Sequence, residues 1–238
     1  MTPDVAIWAV AGAAMGAALV PARQGRRWAP GLGTVVSSGA FAVLAADAAC
    51  DDRVLRVDEP LLAFLAGHRT AWMNGAMRTV TWLGSTAVLV PLVIAVAVFL
   101  LRAHGDRGSA VLMGAGLGGA VLLSQVFKNV LARPRPPMSL SLTHAGGYAY
   151  PSGHATQAIA TWGMAAVLVT TRYSHRVRWS VSAGALVIVL LVGCSRLYLG
   201  VHWLTDVLGG YALGSAWLAL LLPYRHRRPG GRPENRPA

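Results

Sequence analysis

Apolar residues run along this chain in seven blocks, at about 5–21, 31–50, 85–101, 109–127, 155–171, 179–194 and 203–222, separated by short stretches where arginine, proline and glycine collect. The blocks carry almost no charge and have the length, roughly 17–25 residues, that a helix needs to cross a bilayer core. Backbone groups in hydrocarbon find no water to bond, so each block is predicted to be an α-helix. The sixth is short and draws on its flanks. The predicted fold is all-α, a polytopic membrane helical bundle of about seven transmembrane helices.

Residues 51–84 break the pattern. They set Asp51, Asp52, Arg53, Arg56, Arg69 and Arg78 among apolar pairs such as Leu61-Leu62, Phe64-Leu65, Trp72-Met73 and Trp82-Leu83. The stretch is too charged to span, and its spacing predicts one or two helices lying on the membrane surface. Two roles stand open for it, a rim over a path for lipid access or a plain connection. The first block raises a different choice, between a retained helix and a cleaved signal peptide. The chain starts Met1-Thr2-Pro3-Asp4 and its positive charges, Arg23, Arg26 and Arg27, follow the block, an order that favours a retained helix. The organisation is then an N-terminal helix and loop over 1–30, one membrane domain over 31–222, and a basic tail over 223–238 whose Arg/Pro/Gly composition predicts disorder.

Composition adds to this reading. With 55% hydrophobic and 13% charged residues and a mean hydropathy of +0.51, the chain is not a soluble globule. The net charge of +12 invites a nucleic-acid partner, but the position of the arginines argues against one. Arg23, Arg26, Arg27, Arg102, Arg107, Arg172, Arg176, Arg178 and the arginines of the tail fall in alternate connections, with Asp106 and Glu234 the only acids among them. By the positive-inside rule these connections are cytoplasmic, and the 51–84 stretch, the 128–154 loop and the 195–206 turn face away from the cytoplasm. Twenty arginines against one lysine, with abundant alanine and glycine, point to a GC-rich bacterial genome and a plasma-membrane location. The two cysteines, Cys50 and Cys194, each end a block and are expected to be buried free thiols. Glycine pairs at Gly114/Gly118 and Gly210/Gly214 fit either dimerisation or packing within the bundle, so the oligomeric state stays open.

The candidate chemistry all falls in the outward-facing connections. Lys128 ends the fourth block, where a lysine alone reads as a snorkelling anchor. It is followed by Arg133-Pro134-Arg135-Pro136. The prolines restrict the backbone around Arg135 and make its guanidinium a pre-positioned fork for phosphate; Arg133 is a second candidate for that role. In Pro151-Ser152-Gly153-His154 a loop enters the fifth helix, so Ser152 and Gly153 can offer a hydroxyl and backbone N–H groups to an anion beside His154. His202 precedes Asp206 by about one helical turn. The carboxylate can hold one imidazole nitrogen and leave the other as a nucleophile, with Arg196 close by in sequence. No zinc or haem pattern is present, and neither a metal nor another cofactor is expected.

Together these residues resemble the type 2 phosphatidic acid phosphatase family, membrane phosphatases related to vanadium haloperoxidases. Lysine, six residues, then arginine-proline matches from Lys128 to Arg135-Pro136. Proline-serine-glycine-histidine matches at 151–154. Serine-arginine, five residues, histidine, three residues, aspartate matches from Ser195 to Asp206. The resemblance covers roughly 31–222 and implies a six-helix phosphatase core, to which this chain adds the N-terminal helix. It further implies that His202 attacks phosphorus to form a phosphohistidine, that Asp206 orients it, and that His154 protonates the leaving alcohol and then activates water. Lys128, Arg135 and Arg196, with Ser152 and Gly153, would hold the phosphate oxygens without a metal. The implied substrate is a lipid phosphate or diphosphate in the outer leaflet, such as a polyprenyl diphosphate or phosphatidic acid. A lipid phosphotransferase with the same site, a non-catalytic lipid-phosphate binder and a vanadate-dependent haloperoxidase are the competing readings.

Overall fold

The computed structural model describes residues 29–49 and 57–226. The 5–21 block, Cys50 and the tail beyond His226 lie outside the described residues. Eight α-helices follow in order: α1 (Ala29–Ala49), α2 (Asp58–Gly67), α3 (Ala71–Val80), α4 (Thr86–His104), α5 (Arg107–Leu131), α6 (Gly153–Val169), α7 (His175–Tyr198) and α8 (Leu204–Leu221). Short 3-10 turns occupy Thr81–Gly84, Met138–Leu140 and Leu222–His226, so helical winding continues past the 222 boundary expected for the membrane domain. Among the described residues there is no strand. Each apolar block within them forms one helix, and the charged 51–84 stretch supplies α2 and α3.

Helices α4, α5, α7 and α8 are long and apolar enough to cross a membrane; α8 with its 3-10 extension reaches Tyr224. The apolar part of α1, Leu32–Ala46, is shorter, and so is α6, at 17 residues. Helix α6 is the hub of the bundle, packed against α4, α5, α7 and α8. It is buried on nearly every face, with Ala155, Ile159, Met164 and Leu168 in the core. Helix α8 lies between α6 and α1. It comes close to α6 because Gly210 and Gly214 carry no side chain: a Cβ on Gly210 would stand 2.7 Å from the Ser152 carbonyl oxygen, and one on Gly214 would meet Ile159 and Thr156. The Gly210/Gly214 pair therefore serves packing inside the bundle, whereas Gly114 and Gly118 face open space.

The connections sort to two ends. Helix α4 stops at Gly105, whose left-handed backbone lets the Asp106 N–H reach the Leu100 carbonyl at 3.1 Å. Asp106 then caps α5 by accepting from the Ser109 N–H at 2.9 Å. This tight turn and the 170–174 connection share one end of the bundle with Arg102, Arg107, Arg172, Arg176 and Arg178. Helix α5 stops at Ala132 because Pro134 disfavours helical backbone at Arg133. The 132–152 loop, the 199–203 turn and the α2–α3 segment gather at the opposite end. Cys194 is free but exposed, contrary to the expected burial. It belongs to a stripe with Val187, Leu190 and Leu191 on the outer face of α7, one helical repeat apart, while Val192, Ser195 and Arg196 face the core.

Candidate active site

The 199–203 turn builds the centre of the site. Helix α7 ends at Tyr198, and Gly200 reverses the chain at φ +72°. The space a side chain would fill there is taken by the Leu140 carbonyl. Ser141 Oγ donates to the Gly200 carbonyl at 2.7 Å and the Leu142 N–H to that of Leu199 at 2.9 Å, tying the turn to the 132–152 loop. After it, Asp206 sits in the first turn of α8 and accepts the Trp203 N–H at 2.9 Å. His202 Nδ1 lies 3.2 Å from the same carboxylate oxygen, and both residues are buried. Arg135 Nη1 lies 3.3 Å from His202 Nε2. A guanidinium only donates, so Nε2 is the unprotonated nitrogen and Nδ1 donates to Asp206.

Arg135 is held by three backbone carbonyls besides, those of Gly147 at 2.9 Å, Val201 at 2.7 Å and Gly146 at 3.0 Å. Lys128 Nζ donates to the Tyr148 carbonyl at 2.6 Å. Arg196 donates through Nη1 to Thr81 Oγ1 at 2.8 Å, and its Nε is buried without a partner. Ser152 stands at the start of α6, fully buried; its Oγ caps nothing and has no partner. Its N–H donates to the Asp206 carbonyl at 2.9 Å. Gly153 opens the helix with Lys128 Cε 3.9 Å from where its Cβ would be. His154, next along, has Arg196, His202, Lys128 and Arg135 as its electrostatic neighbours. The structure thus brings together eight of the nine residues singled out in the sequence: Lys128, Arg135, Ser152, Gly153, His154, Arg196, His202 and Asp206.

Arg133 is elsewhere. It donates to the far oxygen of Asp206 at 2.6 Å, to Thr205 Oγ1 at 2.6 Å and to Asp58 Oδ2 at 3.0 Å, so it stands behind the carboxylate and not in the phosphate clamp considered for it. Its guanidinium lies over the Trp203 ring, 6.0 Å from the centroid. Nothing in the sequence pattern singles out Asp58. Its only signal was a carboxylate in the first turn of a surface helix, and nothing linked it to an arginine 75 residues away.

The α2–α3 segment covers this end of the bundle. Arg69 donates to the carbonyls of Tyr198 at 2.7 Å and Leu140 at 2.8 Å, and Arg78 to that of Leu142 at 3.0 Å. Tyr198 OH donates to Asn74 at 2.9 Å, and Trp162 Nε1 to the Leu83 carbonyl at 3.0 Å. Burial, with Arg196, Arg135 and Lys128 around it, pushes the His202 imidazole well below the ordinary histidine value. A neutral imidazole with one nitrogen on a carboxylate and the other facing fixed cations is equipped to attack an anionic electrophile.

The model of the PAP2 superfamily matches residues 109–229. The chain belongs to the PAP2 superfamily. Phosphatidylglycerophosphatase B of Bacillus subtilis (strain 168) is 34% identical over 185 residues, which span 75% of this chain and 88% of that protein. Undecaprenyl-diphosphatase of Sulfolobus acidocaldarius is 32% identical over 159 residues, 65% of this chain and 71% of the other. The crystal structure of a transmembrane PAP2 type phosphatidylglycerolphosphate phosphatase from Bacillus subtilis superposes with a TM-score of 0.75 at 31% identity, covering 80% of this chain and 94% of that one. With these relatives and its apolar helices, this PAP2 protein is an integral membrane enzyme of the phosphatase type.

Proposed function

We propose that the protein hydrolyses a lipid phosphate or diphosphate at the extracytoplasmic face of the membrane through a phosphohistidine on His202. The observation that carries this reading is the pairing of His202 Nδ1 with Asp206 while Nε2 faces Arg135, beside the unpartnered buried Ser152 Oγ and Arg196 Nε. Buried polar atoms without partners are costly, and a bound phosphate oxygen would satisfy both. The arginines at the opposite end of the bundle support the extracytoplasmic placement.

In the first step His202 Nε2 attacks phosphorus, the phosphorus bond to the lipid oxygen breaks, and His154 gives its proton to that oxygen. Lys128, Arg135 and Arg196, with Ser152 Oγ and the Gly153 N–H, hold the non-bridging oxygens and stabilise their charge in the transition state. The bound phosphate also supplies the negative charge that a protonated His154 needs among three cations. Asp206 stabilises the positive imidazole ring of the phosphohistidine. In the second step His154 takes a proton from water, water attacks phosphorus, and the bond to His202 Nε2 breaks to release orthophosphate. A diphosphate follows the same path with a lipid monophosphate as leaving group.

Two relatives act, by name, on phosphatidylglycerophosphate and undecaprenyl diphosphate. These support a substrate that carries a phosphate or diphosphate on a long apolar tail. The test is phosphate release from a panel of phospholipid phosphates and polyprenyl diphosphates in detergent with EDTA. Release that persists with EDTA and disappears in His202→Ala is the expected result. Transfer of the phosphoryl group to a lipid acceptor without release would replace hydrolysis by phosphotransfer, and neither release nor transfer would leave a lipid-phosphate binder.

A further inference from the structure

Behind the His202–Asp206 pair lies a second layer of charge that no motif contains. Asp58, in the first turn of α2, accepts the Thr205 N–H on one oxygen at 3.0 Å and the Thr205 hydroxyl on the other at 2.6 Å. Arg133 bridges the two carboxylates, at 3.0 Å to Asp58 and 2.6 Å to Asp206. The Thr205 hydroxyl donates to Asp58 and accepts from Arg133 at 2.6 Å, so its bonding is complete. Four side chains from α2, the 132–152 loop and α8 thereby form one closed network ending on the oxygen of Asp206 that His202 does not use.

We propose that Arg133 and Asp58 are positioning residues that set how much of the Asp206 charge reaches His202, and so keep the nucleophile neutral yet correctly oriented. The inference rests on His202 being the nucleophile. A fully buried carboxylate with no other partner than His202 would draw a proton onto the imidazole and block its attack. Arg133 shares that charge. Asp58 in turn shares the charge of Arg133, so that the arginine does not neutralise Asp206 outright. The group is balanced: two carboxylates on one guanidinium leave one negative charge, which faces the cations of the phosphate site. The same bonds seat the first turn of α2 on the start of α8, so the cover over the site cannot lift away without disturbing the charge on Asp206.

The charged and titratable groups that face His202 and Asp206 are Arg133, Lys128, Arg135, Arg196 and His154, with Asp58 behind Arg133. Changing one member of the network while leaving the others gives opposite signs. Arg133→Gln frees the Asp206 charge, so the acid limb of kcat against pH moves to higher pH, by about one unit. Asp58→Asn keeps the shape but leaves the whole of Arg133 to Asp206, so the limb moves to lower pH. In both variants kcat falls at least about tenfold while KM changes little, since neither side chain touches the phosphate. Arg133→Lys restores the limb of the native enzyme in part. A purely structural role predicts lower thermal stability with the limb unmoved in both variants, and that result overturns the inference; shifts in the same direction overturn it as well. If Arg133→Gln does not fold, Asp58→Asn and Arg133→Lys carry the test. Assaying His202→Ala alongside separates the two levels: activity surviving in it would remove the nucleophile reading itself, whereas an inactive His202→Ala with unshifted network variants would remove only this inference.

Discussion

The N–H of Ser152 donates to the carbonyl of Asp206 at 2.9 Å, so the loop that opens α6 is bonded directly to the first turn of α8. One backbone bond thus holds the start of α6 and the first turn of α8, which carries Asp206, in a fixed relation. The close approach of α8 to α6 at Gly210 and Gly214 makes the bond possible, since a side chain at either position would push the helices apart.

Ser152 provides the cleanest separation of function from stability. Its hydroxyl is fully buried and unpartnered. Removing such a group costs no hydrogen bond and relieves a desolvated dipole. Ser152→Ala should melt in detergent at the native temperature or slightly above, while kcat/KM for a lipid phosphate falls at least about tenfold through the lost oxygen contact. A large fall in melting temperature would place the hydroxyl in the fold and not in the site.

The role proposed for His154 depends on the leaving group. A lipid alkoxide is a poor leaving group and needs a proton, whereas an aryl phosphate leaves with little help. His154→Ala should therefore lose about 100-fold or more in kcat on alkyl phosphates and much less on an aryl phosphate. An equal loss on both substrates would assign His154 to phosphate binding.

Gly200 is fixed by its backbone. At φ +72°, with the Leu140 carbonyl and Arg69 Nη2 in the space a Cβ would take, Gly200→Ala meets strain and overlap together. The substitution should cost about 1–3 kcal/mol from the backbone alone, with more from the displaced loop. Thermal unfolding of the purified variant measures it, and a melting temperature equal to that of the native protein would be the contrary result.

The depressed affinity of His202 for protons makes stability depend on pH. The unfolded chain protonates this residue near pH 6.5, but the folded protein keeps it neutral to much lower pH because of burial and the cations Arg196, Arg135 and Lys128. Below about pH 6.5 the unfolded state therefore binds the extra proton, and this residue's contribution to stability falls as pH is lowered. The melting temperature of the native protein should drop more steeply between pH 7 and pH 5 than that of His202→Gln. Parallel curves would show that His202 titrates normally in the folded protein.

The six apolar blocks within the described residues could be read off the sequence because hydrocarbon allows only one answer, a helix long enough to satisfy its own backbone. The structure shows that helix ends are also set locally, by Gly105-Asp106 between α4 and α5 and by Pro134 after α5. That the eight residues of the candidate site gather at one end of the bundle was legible because their spacing is a linear pattern, with Ser152 and Gly153 opening a helix and Asp206 four residues after His202, which sits in the turn before α8. Cys194 was misjudged because a block apolar on all faces does not reveal which side meets the core.

The sequence by itself determined that the apolar blocks form helices, since a helix in hydrocarbon satisfies its own backbone from neighbours a few positions away. Only the tertiary structure decided that Arg133 backs Asp206 while Arg135 meets His202, that Asp58 closes the network, and that Arg69 and Thr81 bind the cover to α7. Those are contacts between distant segments, set by how α6, α7 and α8 pack, and a partner 75 residues away leaves no mark on local spacing.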